Sequence, residues 1–322
     1  MDSELILPKT LEEAILMFSD KMYAHDVAVS FVWPEGDPTC PRCQSKNAHF
    51  LKAYLKFRCR SCKRDFTVKV GTIFEDSPLP LSKWMTAVWM IVNSKNGISS
   101  HEMARALGLT QKTAWFVLHR IREAMRTGSF QKFSGPVEAD ETFIGGKEAN
   151  KHSDKKLNQG RGAVGKTIVM GVLERSDVKQ GSRVHAEVIQ STSKASLSAV
   201  IKKEVSEFST LYTDAWKGYN GLSAEYLHQF VDHAVCYAIG QVHTNGIENF
   251  WSLLKRALKG TYISVEPFHL TRYVDEQAWR FNNRRFKDGE RFQIAMCAVS
   301  GKRLTYEKLT GEYEEFFDTY GI

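Results

Sequence analysis

Three acidic residues, Asp140, Asp214 and Glu248, stand on three separate predicted elements of this 322-residue chain. Asp140 lies in VEADETFIG, where apolar and polar residues alternate with the period of a strand. Asp214 ends the predicted strand TLYTD, and ligands of α/β sheets commonly bind at the carboxyl ends of strands. Glu248 stands at the beginning of a predicted helix. Carboxylate oxygens suit Mg2+ or Mn2+, and two such ions activate the nucleophile and stabilise the leaving oxygen in phosphodiester cleavage.

Each of these acids also has a structural interpretation. The strand around Asp140 fits an edge strand whose exposed polar face includes Glu138, and Asp214 fits the cap of a turn. Asn245 and Glu248 have the spacing of a capping box, in which the acid bonds back to the residue before the helix. The residues alone leave both interpretations open.

The stretch HTNGIENFWSLLKR, His243 to Arg256, predicts an amphipathic helix. Lys255 follows Glu248 by seven positions, almost two helical turns, so the two side chains point the same way. A site that touches Glu248 therefore also touches Lys255, and we expect Lys255 and Arg256 to contact nucleic-acid phosphate. The apolar stripe of the helix consists of Ile247, Phe250, Trp251, Leu254 and Leu258.

Four of the six cysteines are grouped by spacing into two knuckles, CPRC and CRSC. Two C-x-x-C turns brought together by a hairpin supply the four thiolates that zinc binds in a tetrahedron. The predicted zinc ligands are Cys40, Cys43, Cys59 and Cys62. We expect a structural zinc, because the metal replaces a core that so short a segment cannot build. Cys236 and Cys297 are isolated, so no disulfide framework is predicted.

Basic residues crowd this ribbon and the helices predicted after it. Those of the ribbon are Lys46, Lys52, Lys56, Arg58, Arg60, Lys63 and Arg64. In ISSHEMARALGLTQKTAWFVLHRIREAMR, Ser99 caps one helix, Gly108 ends it and Thr110 caps a second. The second helix is predicted to bury Ala114, Val117, Leu118 and Ile121 and to expose Gln111, Lys112, His119, Arg120 and Arg122. An exposed basic face is typical of a groove-reading helix, although such pairs also occur as plain structural motifs.

The remaining patterns complete a mixed α/β chain. An amphipathic helix is predicted over roughly 10–28, and a second apolar stripe includes Trp84, Val88, Ile91 and Val92. KTIVMGVLE and SRVHAEVIQ predict paired strands, KASLSAVIKKEVS predicts a helix and HAVCYA a last strand. The Gly- and Lys-rich segment from Gly145 to Lys166 predicts a mobile basic loop.

The charge balance favours a polyanionic partner. The chain carries 44 Lys+Arg against 37 Asp+Glu, which gives a net charge of +7. It contains no run of about 18 apolar residues, the length at which a membrane-spanning helix would be predicted. The stretch MDSELILPKTLEEAILMF carries acids where a signal peptide has basic residues. We therefore expect a soluble, non-secreted protein.

The order and spacing of the three acids resemble those of the DDE-type insertion-sequence transposases, in the subgroup with an N-terminal zinc ribbon. The family blocks DETF-GG, TDxxxGY and HTNGIExFW-LLKR are matched by Asp140–Gly146, Thr213–Tyr219 and His243–Arg256. The resemblance extends from Cys40 to about Arg284. It implies a ribonuclease-H-like α/β core with a central mixed sheet, preceded by a small zinc ribbon and a helix-turn-helix. The predicted division is an N-terminal helical segment (1–35), the ribbon (36–70), the helix-turn-helix region (80–130), the core (133–284) and a C-terminal extension (285–322).

The function implied by this resemblance is DNA transposition in the bacterial cytoplasm, at the nucleoid. Asp140, Asp214 and Glu248 would hold the catalytic Mg2+ or Mn2+, and water would cleave at a transposon end to free a 3′-hydroxyl that is then joined to target DNA. The residues expected to contact double-stranded DNA are Lys112, Arg120, Arg122, Lys255 and Arg256. Because two ends must be paired, we expect at least a dimer. Two alternatives stay open: a nuclease without strand transfer, and a zinc-ribbon and helix-turn-helix regulator with a degenerate core.

Overall fold

The computed structural model describes residues 6–126, 131–146, 165–176, 181–231 and 241–311. These residues form two compact units. The first consists of 6–126 and 286–311, and the second of 131–146, 165–176, 181–231 and 241–285. Within these ranges no helix combines the length and the apolar character needed to cross a membrane.

The first unit begins with two helices, α1 (Leu11–Ser19) and α2 (Lys21–Val32), where one helix was predicted. Asp20 separates them, because its backbone is extended and its carboxylate accepts a hydrogen bond from the N–H of Met22 (2.8 Å). The prediction of a single helix is therefore wrong. The fully buried residues of α1 are Ala14 and Phe18.

The ribbon is a three-stranded antiparallel sheet, in the order β1 (Ala48–Leu51), β2 (Lys56–Cys59) and β3 (Asp65–Phe66). Its small apolar cluster centres on Phe57, whose ring stacks on Phe66 with centroids 5.6 Å apart. Trp33 meets the Phe57 ring edge-on at 5.2 Å. Few residues are buried in this sheet, as expected of a segment that needs a metal to hold it together.

Three further helices follow, α3 (Leu81–Asn93), α4 (Ser100–Leu107) and α5 (Gln111–Met125). The ends of α4 and α5 are those predicted. Ser99 Oγ accepts the N–H of Glu102 (3.1 Å), Gly108 is left-handed, and Thr110 caps α5. The predicted apolar stripes of α3 and α5 are buried.

Two C-terminal helices, α9 (Asp288–Cys297) and α10 (Tyr306–Thr310), belong to the first unit. The fully buried Phe292 explains why, because its ring contacts those of Phe18 and Trp89, with centroids 5.3 and 5.6 Å away. Residues 286–311, the described part of the first unit that falls in the predicted C-terminal extension, therefore pack into the core of this unit.

The second unit is built on a five-stranded mixed sheet in the order β6-β5-β4-β7-β8. The strands are β4 (Val137–Ile144), β5 (Thr167–Glu174), β6 (Arg183–Ile189), β7 (Thr210–Asp214) and β8 (Leu227–Val231). The first three pair antiparallel, and β7 and β8 run parallel to β4. This mixed sheet confirms the predicted fold class. The strand β8 was not predicted, while the predicted strand HAVCYA and most of the basic loop from Gly145 to Lys166 lie outside the described residues.

Helices cover both faces of this sheet. One face packs on α6 (Lys194–Glu204), and the other on α7 (Asn245–Ala257) and α8 (Leu270–Asn282). Alternate residues of β5 separate the two cores: Val169 and Leu173 pack with α7 and α8, and Met170 and Val172 pack with α6. The five predicted apolar residues are all buried. Four of them lie on α7, and the fifth, Leu258, begins the π-helical turn that follows it (Leu258–Tyr262).

Candidate active site

Asp140 and Asp214 lie at the same level of the sheet, on neighbouring strands. β4 and β7 are parallel, with Glu138 opposite Tyr212, and the same register two residues further on places Asp140 beside Asp214. The strand β4 is central in the order of five, and Glu138 is 1% exposed. The alternative of an edge strand with an exposed polar face is therefore wrong.

A further acid, Glu141, joins the two aspartates. Its Oε2 accepts a hydrogen bond from the hydroxyl of Tyr219 (2.5 Å), and Asp214 Oδ1 accepts one from the backbone N–H of Trp216 (3.0 Å). We call Asp140, Glu141 and Asp214 the acid cluster. Their carboxylate oxygens are not all within 4.8 Å of one another, and Glu141 lies on the face of the sheet that packs on α6, since Tyr219 belongs to that core. Within the described part of the chain, no Lys, Arg or His forms an ion pair with any of these carboxylates.

The carboxylates of the acid cluster disfavour one another's charge. Burial raises the pKa of Asp140 to about 7, and the carboxylates of Glu141 and Asp214 contribute to this because they repel another negative charge. Burial also raises the pKa of Glu141, with Asp214 acting in the same direction. A half-buried group of hard oxygen ligands without a cationic partner among the described residues fits a divalent cation.

Trp251 of α7 fixes the orientation of Asp140. Its indole Nε1 donates to Asp140 Oδ2 (2.9 Å), and its ring lies over Gly171, the residue of β5 that pairs with Asp140. A Cβ at Gly171 would lie 2.6 Å from the Trp251 ring and 2.9 Å from Ile247. The glycine is therefore required for the close approach of α7 to the strand that carries Asp140.

Glu138, two residues before Asp140, ties the beginning of α7 to the sheet. Its Oε2 accepts the backbone N–H of Ile247 (2.8 Å), and its Oε1 accepts Nε of Arg175 (2.6 Å). Arg175 also donates to the carbonyl oxygens of Gln241 (2.7 Å) and His243 (2.6 Å). This buried ion pair is the Glu138–Arg175 clamp, and it fixes where the helix that carries Glu248 begins.

Glu248 is exposed on the first turn of α7, and the structure does not bring it into the acid cluster. Its Oε1 accepts a hydrogen bond from the hydroxyl of Thr244 (2.8 Å). The carboxylate oxygens of Asp140, Asp214 and Glu248 are not all within 4.8 Å of one another. The predicted capping box is wrong as well, because α7 begins at Asn245 and its cap is Thr244, one residue earlier than predicted.

The four ribbon cysteines, by contrast, form a complete ligand set. Their sulfur atoms all lie within 4.8 Å of one another, with Cys40 and Cys62 3.7 Å apart and Cys43 and Cys59 3.5 Å apart. A tetrahedral zinc with bonds of about 2.3 Å needs sulfurs about 3.8 Å apart, so the four residues fit zinc. The backbone N–H of Cys62 lowers the pKa of Cys59 to about 6, which favours the thiolate.

Two family models match parts of this chain. Residues 132–282 match the ISXO2-like transposase domain, and residues 20–65 match a transposase zinc-ribbon domain. A transposase-like protein of Haemophilus influenzae is 32% identical over 106 residues, 33% of this chain and 85% of the relative. The chain belongs to the ISXO2-like transposases. A protein of transposable element ISH50 from Halobacterium salinarum is 25% identical over 272 residues, 81% of this transposase and 90% of the relative.

Two of the basic residues predicted to contact DNA are buried in this transposase. Arg120 is 3% exposed, donates to the carbonyl oxygen of Glu75 and lies over the ring of Trp84. Arg122 is 1% exposed, and His119 is buried as well. The predicted exposure of these residues is wrong, because the packed face of α5 is wider than its aliphatic stripe and includes the stems of long polar side chains.

The other predicted DNA contacts are accessible. Lys255 is half-buried on α7 and Arg256 is exposed, and neither forms an ion pair within the described ranges. Lys112 is exposed at the start of α5, with its Nζ 4.6 Å from the ring centre of Tyr306. In the ribbon, Lys46 pairs with Glu35 (3.3 Å) and Arg58 with Asp65 (2.7 Å). The ribbon cations that are exposed without an ion pair to a described residue are Lys52, Lys56, Arg60, Lys63 and Arg64.

Sequence reasoning assigned no role to Glu141, Arg175 or Gly171. The acid at Glu141 was visible beside Asp140, but its contact with Tyr219 depends on a turn that follows β7. Arg175 follows a strand and carries no local signal, since its partners Glu138 and His243 are distant in the sequence. Glu138 was placed on the same face of β4 as Asp140, and this placement is compatible with their shared contact with α7.

Proposed function

We propose that this transposase cuts DNA strands at the ends of its element and joins the freed 3′-hydroxyl to target DNA, with Asp140, Asp214 and Glu248 as the acids of the reaction. The observation that carries the proposal is the acid cluster itself. Carboxylates on adjacent strands, of which Asp140 has its pKa raised to about 7, lie without a cationic partner among the described residues. The cluster lies in a domain that matches a transposase family.

The donor set fits Mg2+ or Mn2+, which prefer carboxylate oxygens. Asp140 and Asp214 would hold the ion jointly, and Glu248 would complete the ligand set from the first turn of α7. Bound there, such ions supply activation of the attacking hydroxyl and stabilisation of the leaving oxygen. Glu141 adds negative charge next to these ligands and keeps its carboxylate oriented through Tyr219.

The protein groups around the acids have separate roles in this proposal. Trp251 holds the Asp140 carboxylate through Oδ2 and so orients it toward the proposed cation. The Glu138–Arg175 clamp holds the start of α7, so it sets how far Glu248 lies from the two aspartates. In the first step water attacks phosphorus and the bond to the 3′-oxygen breaks. In the second step the freed 3′-hydroxyl attacks a target phosphodiester, whose own 3′-oxygen leaves.

DNA would be held by exposed cations of both units. Lys255, which is half-buried, and the exposed Arg256 follow Glu248 on α7 and would contact phosphate near the cut. Lys112 of α5 and the unpaired ribbon cations would contact the double-stranded transposon end, with α4 and α5 acting as a helix-turn-helix. Because Arg120 and Arg122 are buried, we leave them out of this interface. Pairing two ends requires at least two copies of the chain, so we propose that it works at the nucleoid as a dimer or larger assembly.

The test uses purified protein, Mg2+ and duplexes that carry the inverted repeats flanking the element. We expect strand cleavage at the repeat boundary, and then joining of the cut 3′ end to a supercoiled plasmid. Cleavage without joining of a pre-cut end would favour a nuclease without strand transfer. Binding of the repeats without either reaction, in Mg2+ and in Mn2+, would contradict the proposal and favour a regulator.

A further inference from the structure

Trp216 is an exposed aromatic residue at the edge of the acid cluster. Of the seven tryptophans, all within the described ranges, it is the one that is mainly exposed, with 49% of its surface accessible. It follows Asp214 by two residues, and its backbone N–H donates to Asp214 Oδ1 (3.0 Å). Other large apolar side chains are exposed as well, so it is the position of Trp216 beside Asp214 that distinguishes it.

The indole is also fixed in place. A Cβ at Gly218 would lie 2.8 Å from Trp216 Cδ1 and Nε1, and equally close to Leu197. The ring therefore rests directly on the backbone at Gly218, which only a glycine permits. Its Nε1 points to the carbonyl oxygen of Thr192 (3.4 Å). One edge of the ring is thus packed, and the rest is presented to solvent in a defined orientation.

The surface around the indole is cationic. Lys217 is the next residue, and Lys194 is two residues after Thr192, whose carbonyl oxygen the indole faces; the Nζ of Lys194 lies against Gly221, where a Cβ would be 2.6 Å away. Both lysines are exposed, and neither forms an ion pair with any residue that the structure describes. A fixed aromatic face beside unpaired cations is the combination that binds an unpaired nucleotide, because the base stacks on the ring and the cations contact phosphate.

We propose that Trp216 is the stacking platform for a DNA base that is unpaired at the cleavage site, and that Lys217 and Lys194 contact the backbone of the same strand. This inference rests on the proposed function. Because the backbone of Trp216 is tied to Asp214, the stacked base belongs to the nucleotide at the scissile phosphate or next to it. Taking a base out of the duplex costs free energy, and stacking on the indole offsets this cost.

Photo-crosslinking tests the contact without requiring activity. Transposon-end duplexes carry 5-iodouracil at single positions around the cleavage site and are irradiated with full-length protein in Ca2+, and the crosslinked peptide is identified by mass spectrometry. We expect crosslinks to Trp216 from one position next to the scissile phosphate. Crosslinks from these positions that map only to other residues overturn the proposal, even if the protein cleaves DNA. A protein that crosslinks at Trp216 and cuts nothing would instead contradict the proposed function alone.

Cleavage by matched variants tests the role. Trp216→Ala is expected to cut fully paired ends about 5- to 100-fold more slowly, the range given by loss of one base–aromatic stack. Trp216→Phe should recover most of the activity, and a mismatch at the unpaired position should largely rescue Trp216→Ala, because the base is then already unpaired. The control is Phe208→Ala, which removes an aromatic residue that is 77% exposed near the other end of β7. Equal cleavage by Trp216→Ala and wild type, or a Trp216→Ala defect confined to self-association of the chain, would overturn the proposal.

Discussion

The ribbon and the acid cluster are both groups of potential metal ligands, and they differ in how complete they are. In the ribbon, four thiols lie within 4.8 Å of one another on two turns next to one small sheet. In the core, two aspartates come together on adjacent strands, while Glu248 on α7 is held by the hydroxyl of Thr244. The ribbon site therefore has all its ligands together. In the acid site the two aspartates are together, and Glu248 lies apart from them.

The difference follows from what each site does. Four soft ligands that fill a tetrahedron leave no room for substrate, and such a site holds a fold together. A site for phosphoryl chemistry needs open positions for substrate oxygens, so fewer protein ligands suffice. Carboxylates that are brought together without a cation repel one another, as the raised pKa of Asp140 records. We therefore expect the ribbon to depend on its metal for folding and the core to depend on its metal for reaction.

The largest expected effect is on the ribbon. Cys59→Ser removes a buried thiol of the closed set, and because zinc binding is coupled to folding of such a segment, we expect loss of zinc and of the ribbon's structure. Zinc analysis and proteolysis of the purified chain measure both. Cys297→Ser, at an exposed and isolated cysteine, is the control and should keep about one zinc per chain. Full zinc retention by Cys59→Ser would mean that the ribbon is not a zinc site.

The next largest effect is on the cleavage reaction, while the fold should be unaffected. Asp214→Asn and Asp140→Asn should each reduce cleavage by about 10^4-fold, the loss typical of removing a group that acts in a catalytic unit. Binding of a transposon-end duplex should remain within about twofold, because the acids do not attract phosphate. Gel-shift and cleavage assays on the same preparations measure the two properties. Activity near the parent level in either variant would remove that residue from the site.

Glu138→Gln tests the Glu138–Arg175 clamp, which ties the beginning of α7 to the sheet. Breaking a buried ion pair by removing one partner costs about 3–5 kcal/mol, and displacement of α7 should reduce cleavage by about 10- to 100-fold. Thermal melting and cleavage measure these effects. The matched control is Arg183→Gln, which breaks the more exposed pair with Glu174 in the same sheet and should cost less than about 1 kcal/mol. Equal effects of the two substitutions would show that the clamp has no special role.

The smallest effect is on stability as a function of pH. The pKa of Asp140 is about 7 in the folded chain and near 4 when unfolded, so the folded state binds more protons between these values. Without added Mg2+, and without a chelator that would also remove the ribbon zinc, the core should therefore lose stability as pH rises from about 4 to 7, by about 1.4 kcal/mol per pH unit at most. Added Mg2+ should reverse the loss at pH 8, and Asp140→Asn should remove it. A melting temperature of wild-type protein that rises over this interval without Mg2+, and matches that of Asp140→Asn, would contradict the assigned burial.

Short-range patterns in the sequence predicted most of the ribbon and of the helix pair. The cysteine spacing, the caps at Ser99 and Thr110, and the left-handed Gly108 are each determined by a few neighbouring residues. The paired strands β5 and β6 and the strand that ends at Asp214 were likewise visible as local patterns. The family resemblance then predicted that these elements form one core around a mixed sheet, which the structure confirms.

Contacts between distant residues could not be predicted in this way. The burial of Arg120 and Arg122 depends on elements that pack on α5 from elsewhere in the first unit. The Glu138–Arg175 clamp joins residues 37 positions apart and reaches the N–H of Ile247 109 positions away. Periodicity identifies which face of an element is apolar, but it does not identify the partner of a charge on that face.

The most direct test of the account is Glu248→Gln, with melting temperature and Mg2+-dependent cleavage of a transposon-end duplex measured on one preparation. Glutamine keeps an oxygen that can accept the hydrogen bond of Thr244, so a purely structural role predicts unchanged stability and activity. An amide is a poor replacement for a carboxylate at a divalent ion, so the account predicts cleavage reduced by at least about a thousandfold, with the melting temperature within about 2 °C of wild type. An active enzyme of unchanged stability would contradict it, because the acid cluster would then work without Glu248.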